Sequence, residues 1–435
     1  MRTTETFTIN NPSLKQQLLA WAQQFREVVF LDSNDYQQQY TSYDAVLAVD
    51  ALTSLQTDYH NAFEDLNTYQ QITKDWLFGY LSYDLKNDTE DLFSKNHDGL
   101  GFPDLFFFQP KKLFLLKGNQ LELHYLMMCD DEMESDLNEI KNSPTQTNPA
   151  TGNQQPATIQ QRISKDDYLQ KVAEMLARIH RGDIYEANFC MEFYAENASI
   201  DPSETYRKLN AISEAPFAVY LKNHRQYLMS ASPERYLRKD GNKVISQPIK
   251  GTARRSTDPE EDLIIKATLS ANEKERSENI MIVDLVRNDL SRTAAKGSVE
   301  VEELCGAYTF RQVHHLISTV VSQPEAGSRP VDVIRTTFPM GSMTGAPKIS
   351  AMQIIEKLEE TRRGIYSGAV GYFTPDGDFD FNVVIRSILY NAEREYVSFS
   401  VGSAITAKAS PEAEYEECLL KAKAMRMVLE EGKRD

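Results

Sequence analysis

The sequence predicts an α+β fold, and three observations carry the prediction. The first 140 residues contain long apolar stretches of strand character, "WLFGYLSYDL" and "LFFFQPKKLFLLKGNQLELHYLMM", the second folded back at "KGN". From Ser164 onward, amphipathic helical faces and strands alternate in patches. Between these parts lies "KNSPTQTNPATGNQQPATIQQ", rich in Asn, Gln, Thr and Pro and without apolar periodicity, the composition of a solvated connection. The 435 residues are enough for two ordinary domains. They divide into a sheet-rich domain over 1–140, a polar linker over 141–163 and a second domain over 164–435.

The second part justifies its elements in order. Ser164 and Asp167 form a capping pair, and Tyr168, Val172, Met175 and Ile179 make one helical face that ends near Gly182. "GAVGYFTPDGDFDFNVVIRSILY" reads as a hairpin around Pro375, Asp376 and Gly377. "PEAEYEECLLKAKAMRMVLEE" reads as a long closing helix.

Composition bounds the function. Lys and Arg total 47 against 64 Asp and Glu, a net charge of -17, which argues against nucleic acid and anionic membranes as partners. An anionic substrate would need a locally positive pocket. The start, "MRTTETFTINNPSLKQQ", lacks the apolar run of a signal peptide, and no segment stays apolar long enough to span a bilayer, so a cytoplasmic location is expected. Cys129, Cys190, Cys305 and Cys418 form no CxxC pair, which points to reduced thiols.

Several charged residues sit in apolar surroundings. Lys250 in "SQPIKGTARR" would share a strand face with Ser246, opposite Ile245 and Ile249, either as a solvent-facing lysine or as a functional amine. Glu275 with Glu278, and Glu414 with Glu417, stand three residues apart, so each pair shares a helix face. These are solvated faces or, if the pairs converge, oxygen ligands for Mg2+. Arg386 alternates with Val384 and Ile388 and needs an anion, from a ligand or from the protein. His315 alternates with Val313 and Ile317 and faces inward, while His314 faces away. The loop "FPMGSMTGAPK" brings small residues to the start of a helix but lacks the GK[ST] ending of a Walker A motif.

Taken in order, "GDIYEANFC", "SASPERY", "PIKGT", "ENIMIVDLVRNDLSR", "HHLIS", "FPMGSMTGAPK", "YSGAVGYF", "VVIRSI" and "PEAEYEECLLKA" resemble the chorismate-utilising enzyme family over about Ser164 to Glu430. The family includes anthranilate, isochorismate, salicylate and aminodeoxychorismate synthases. The resemblance implies an anthranilate synthase component I-like fold, large antiparallel sheets packed as a sandwich with helices outside, and makes 164–435 the chorismate-binding catalytic domain. Aminodeoxychorismate synthases carry PIKGT where anthranilate synthases carry PIAGT, which marks Lys250 as a covalent nucleophile. Isochorismate and salicylate synthases use a lysine base at the position of Glu186, and aminodeoxychorismate synthases mostly have Gln there, so Glu186 departs from both patterns. The family's GGGI-like run is replaced by Gly402, Ser403 and Ala404.

The resemblance further implies Mg2+ on Glu278 and Glu417, with Glu275 and Glu414 acting through water. Lys421, Gly251 and Thr252, with Gly402 beside them, would hold the ring carboxylate of chorismate. Arg386 and Tyr366 would hold the enolpyruvyl carboxylate, and His315 would line the C4 region. Lys250, its pKa lowered, would attack C2 while Glu234, kept protonated, releases the C4 hydroxyl. Ammonia would then give 4-amino-4-deoxychorismate, the precursor of p-aminobenzoate and folate. No cysteine stands in a glutaminase setting, so a separate glutaminase subunit is expected to supply the ammonia. The rival activities are an anthranilate synthase component I and, from another class, a non-catalytic regulatory or scaffold paralogue. Retention of Glu234, Lys250 and both acidic pairs argues against the latter.

Overall fold

Period-two alternation builds the layers of the molecule. In the strands Glu27–Asp32 and Ala45–Thr57, Val28, Phe30, Leu47 and Val49 enter one core while Val29, Val46 and Ala48 enter another. The computed structural model describes residues 1–36, 39–145 and 157–430, and within them twenty strands form one hydrogen-bonded network with eleven α-helices.

The network folds into two antiparallel layers. One runs from Glu27–Asp32 through Phe217–Asn223, Gln226–Ser232, Ser387–Asn391 and Tyr396–Thr406 to Glu186–Ala195. The other runs from Leu77–Leu81 through Ala369–Phe373, Phe379–Val383, Arg235–Asp240 and Lys243–Ser246 to Val313–Ser322, which also pairs with Ile249–Arg254 and Glu300–Thr309. The long strand Leu105–Lys117 joins the layers: its start pairs with Leu77–Leu81, and along its length it pairs with Ala45–Thr57, which pairs in turn with Glu27–Asp32. Val29, Val219 and Leu221 meet Phe78, Leu237, Val244 and Phe381 between the layers. The outer face of the first layer is covered by helices that include Leu14–Ala22, Lys165–Arg181, Pro202–Ser213 and Pro411–Glu430. This is the α+β sandwich with helices outside.

The first 140 residues share ladders with the rest of the chain. Glu27–Asp32 pairs with Phe217–Asn223, and Leu77–Leu81 with Ala369–Phe373. Residues 146–156 of the expected linker lie outside the described residues. In the Lys165–Arg181 helix the Ser164 hydroxyl accepts the Asp167 N–H at 3.1 Å, and Tyr168, Val172, Met175 and Ile179 are the buried face. Gly182 ends that helix in the left-handed region at φ 89°. The expected hairpin forms between Ala369–Phe373 and Phe379–Val383.

Two strand readings need correction. Lys250 is not in one strand with Ile245: Lys243–Ser246 and Ile249–Arg254 are separate, with Gln247 and Pro248 between them, and the second strand is irregular between Ile249 and Thr252. Proline has no N–H to give a ladder, so the alternation restarts there. Arg386 does not continue the alternation of Val384, because Phe379–Val383 and Ser387–Asn391 are separate strands and Arg386 stands between them at φ 51°.

Gly79 and Gly371 face each other across the ladder that joins the two parts of the chain. A Cβ on Gly79 would lie 1.9 Å from the Phe106 carbonyl oxygen, and one on Gly371 2.0 Å from that of Asp380. Backbone cannot yield as a side chain does, so Gly79→Ala should destabilise by about 1–3 kcal/mol or more. The check is a lower urea midpoint at unchanged m-value.

Candidate active site

The two layers bring a lysine and a carboxylate together at their seam. Lys250, second residue of Ile249–Arg254, donates from Nζ to Oε1 of Glu186, first residue of Glu186–Ala195, at 3.0 Å. Glu186 is buried, and its Oε2 has no hydrogen-bond partner among the described residues. Burial alone would lower the Lys250 pKa, but Glu186, Glu278 and Glu417 together outweigh it and hold the amine above its ordinary value. This corrects the expectation of a lowered pKa: the neighbours of Lys250 are carboxylates, so the resting amine is an ammonium ion.

Glu234 has the opposite character. It lies buried in the turn between Gln226–Ser232 and Arg235–Asp240, and desolvation pushes its carboxyl up to about 7 against the pull of a Ser342 hydrogen bond, Lys250, the Ile249 N–H and Arg386. Ser342 Oγ donates to Glu234 Oε1 at 2.7 Å, and both residues border a half-open pocket. A group in this state can give a proton near neutrality.

Ser342 belongs to the loop "FPMGSMTGAPK", which packs against the strand that carries Glu186. Its Gly345–Ala346 segment pairs with Ala187 and Glu186, and the Asn188 N–H donates to the Thr344 carbonyl at 2.7 Å. A Cβ on Gly345 would lie 2.1 Å from the Glu186 carbonyl oxygen, so only glycine lets the loop approach. Lys348 donates to Asp289 at 2.5 Å, to the Pro339 carbonyl at 2.8 Å and to the Thr337 carbonyl at 3.0 Å, which consumes its charge structurally. No sequence signal distinguishes Ser342 from the other small residues of the loop; its part is visible only from its contact.

The expected anion-binding residues fall around this centre. His315 Nδ1 lies 2.9 Å from Thr252 Oγ1 and 3.3 Å from the Gly251 carbonyl oxygen, while Nε2 is buried without a partner among the described residues. Burial, with Arg386 adding to it, pushes the His315 pKa down to about 3, so the ring is neutral. His314, expected to face away, is also buried, because the Pro259–Ala271 helix covers that side and Asp262 Oδ1 meets Nε2 at 2.9 Å. Gly251 has φ 90°, with Glu275 and Leu316 within 3.3 Å of a would-be Cβ. Arg386 has no ion-pair partner among the described residues, and desolvation lowers its pKa although Glu234 pulls the other way. Tyr366 is buried, its hydroxyl 3.9 Å from Cys190 Sγ. Lys421 Nζ donates to the Gly402 carbonyl at 2.8 Å and to Glu417 Oε1 at 2.7 Å.

The acidic pairs lie on two helices, Glu273–Ser291 and Pro411–Glu430. Glu278 and Glu417 both bear on Lys250, and Lys274 bears on Glu278, Glu414 and Glu417, so the two helices converge on one region. Glu278 lies beside the buried stripe of its helix, which is Asn279, Ile282, Val283, Val286, Asp289 and Leu290. Burial raises the Glu278 and Glu414 carboxyls, whereas Lys421 and its neighbours pull Glu417 below its usual value. No three His, Cys, Asp or Glu side chains among the described residues stand close enough to hold a metal by themselves. The donors are hard oxygens with too little positive charge around them, which fits a divalent cation whose shell an anionic ligand completes.

Comparison with known proteins identifies the family. The model of chorismate binding enzymes matches residues 21–427. The chain is 35% identical over 416 residues to a probable chloroplastic aminodeoxychorismate synthase of Oryza sativa subsp. japonica, covering 85% of this chain and 46% of that protein. It is 38% identical over 258 residues to aminodeoxychorismate synthase component 1 of Escherichia coli, covering 59% of this chain and 56% of that one. It is also 36% identical over 360 residues to anthranilate synthase component 1 of Thermus thermophilus, covering 81% and 77%. The chain thus spans about half the length of these aminodeoxychorismate synthases. The crystal structure of anthranilate synthase component I from Streptococcus pneumoniae shares the fold, with a TM-score of 0.77 at 23% identity over 90% of this chain and 95% of that one. With a family model matched over residues 21–427, the chain belongs to the chorismate binding enzyme family.

Proposed function

We propose that this chain is an aminodeoxychorismate synthase component I, converting chorismate and ammonia to 4-amino-4-deoxychorismate. The observation that carries the reading is the half-buried Lys250 amine, 3.0 Å from Glu186 and within the electrostatic reach of a Glu234 carboxyl held near neutrality. Amination at C4 can proceed in two steps when a group adds at C2 with loss of the C4 hydroxyl and later leaves as ammonia adds at C4, which restores the diene, and a neutral lysine amine can do both. Glu234 would protonate the departing C4 hydroxyl. Arg386 would meet the enolpyruvyl carboxylate, beside Tyr366, and Lys421 with Gly251 and Thr252 would meet the ring carboxylate. The neutral His315 would line the C4 region without adding charge, and Gly402 would leave space beside Lys421.

Glu278 and Glu417 would hold Mg2+, with Glu275 and Glu414 acting through water. Bound there, the cation would neutralise the ring carboxylate and the crowded glutamates. A separate glutaminase subunit is the proposed ammonia source, in keeping with the "component 1" of the Escherichia coli relative. The similarity to an anthranilate synthase component 1 supports the rival reading, in which ammonia adds at C2 and pyruvate leaves.

Three outcomes test this. Chorismate and Mg2+ without ammonia should leave an adduct that peptide mapping places on "PIKGT"; Lys250→Ala should abolish it and slow amination at least about a hundredfold, the scale of a lost covalent route. Near-normal aminodeoxychorismate formation by Lys250→Ala, or pyruvate as a product of the native chain, would overturn the assignment. Because Glu234 acts protonated with a pKa of about 7, adduct formation should decline as pH rises through that value, and Glu234→Gln should remove the decline together with most of the rate. Ammonium salts should support turnover by the chain alone, glutamine only after a glutaminase subunit is added, and EDTA should stop both; glutamine use by the purified chain would exclude the two-subunit reading.

A further inference from the structure

Glu186 is left without a task by the residues above, yet it is the group closest to the nucleophile. Its Oε1 accepts from Lys250 Nζ at 3.0 Å, its side chain is 3% exposed, and Oε2 is buried with no partner among the described residues. A half-satisfied buried carboxylate costs stability unless its second oxygen is used at some stage. Its backbone is fixed on two sides, by Ala346 and by Thr406, so its distance to Lys250 is set by the sheet rather than by a mobile loop.

We propose that Glu186 is the internal proton acceptor of Lys250, taking the ammonium proton across the ion pair when chorismate enters and returning it when the product forms. The inference rests on the reading of Lys250 as nucleophile. Transfer converts the ion pair to a neutral amine and a neutral carboxyl. The amine lone pair forms the Nζ–C2 bond, the two double bonds shift, the C4–O bond breaks, and the hydroxyl leaves as water with the proton of Glu234. Ammonia then forms the C4–N bond, the double bonds shift back, and the C2–Nζ bond breaks to release lysine as a neutral amine. Glu186 returns its proton to that amine, and the C4 ammonium gives one proton to the Glu234 carboxylate. Every group ends as it began.

A pair that shares its proton internally has the same total charge before and after transfer, so the reactive fraction does not depend on bulk pH. The other groups bearing on Lys250 are Glu278 and Glu417, with Glu234 near it and His315 and Arg386 bordering the same space. Of these, Glu234 governs the limb above neutrality, and the distinguishing region is pH 5 to 7.

The experiment is the rate of the Lys250 adduct from chorismate and Mg2+, without ammonia, read by mass spectrometry across that range. The native chain should give a flat limb. Glu186→Gln, which must lose its proton to solvent, should rise about tenfold per pH unit until its own lysine pKa is reached, and should be slower than native at pH 5 by at least about tenfold. Glu186→Asp should restore part of the flat limb. A native limb that itself rises about tenfold per unit, or a Glu186→Gln limb identical to native, would overturn the role of Glu186 while leaving Lys250 as nucleophile. Absence of any adduct on the native chain would overturn both. If Glu186→Gln fails to fold, the native profile and Glu186→Asp decide the matter.

Discussion

The Lys250–Glu186 ion pair is the interaction on which the site depends, because its two halves come from different layers of the sandwich. Glu186 opens a strand of one layer, and Lys250 stands on a strand bonded to the other. Neither charge could remain in that seam alone: removing one partner of a buried pair typically costs about 3–5 kcal/mol, since the survivor keeps its desolvation penalty. The pair therefore works as a lock on the relative position of the layers as well as a feature of the chemistry. It also orders the protonation states. Three carboxylates near one amine keep that amine charged, and the field of the ammonium in turn limits how far burial can raise Glu234.

The loop over residues 338–348 makes this arrangement rigid. Lys348 ties its two ends to Asp289 and to the Thr337 and Pro339 carbonyls, Ser342 holds the Glu234 carboxyl, and Gly345–Ala346 holds the Glu186 backbone. Asn188 Nδ2 donates to the Ser342 carbonyl at 3.1 Å, and Arg363 donates to the Met343 and Asn188 carbonyls while pairing with Glu359. One loop thus sets the distance between the Glu234 carboxyl and the Glu186 carboxylate that pairs Lys250. The raised pKa of Glu234 needs such a fixed partner, because a carboxyl free to rotate would find water or a neighbouring cation and lose its shift.

Local order was legible wherever the pattern and the packing agreed. The helix from Lys165 shows its cap, its buried face and its left-handed glycine in the letters alone, because each feature depends on residues within one or two turns. The hairpin around Gly377 is equally local. The reading failed where a strand breaks without losing its apolar alternation: Arg386 sits in a gap that "FNVVIRSILY" does not announce, and Pro248 resets the register before Lys250. His314 was misread because alternation assumes one solvated face, whereas a helix covers that strand on its second side. The direction of the Lys250 shift also differs from expectation. A lowered pKa follows from the nucleophilic role that the resemblance implies, but the carboxylates that raise it arrive from Glu273–Ser291, Pro411–Glu430 and the start of Glu186–Ala195, all distant in sequence.

For an acidic chain to bind an anion, some of its inward-facing cations must stay free of the protein's own carboxylates, and the structure shows how they are divided. Lys348, Arg363 and Arg235 are used up by Asp289, Glu359 and Asp380. Arg386 has no such partner among the described residues, and desolvation destabilises it as a cation, so a carboxylate brought to it would supply what the protein withholds. Lys421 is half committed, donating to a carbonyl and to Glu417. Lys250 is paired with a carboxylate that can take its proton instead of merely screening it. The net charge of -17 is therefore no obstacle to anion binding, because what the substrate meets is the local balance, and there an under-paired arginine and two carboxylate-bearing helices leave room for both an anion and the cation that would accompany it.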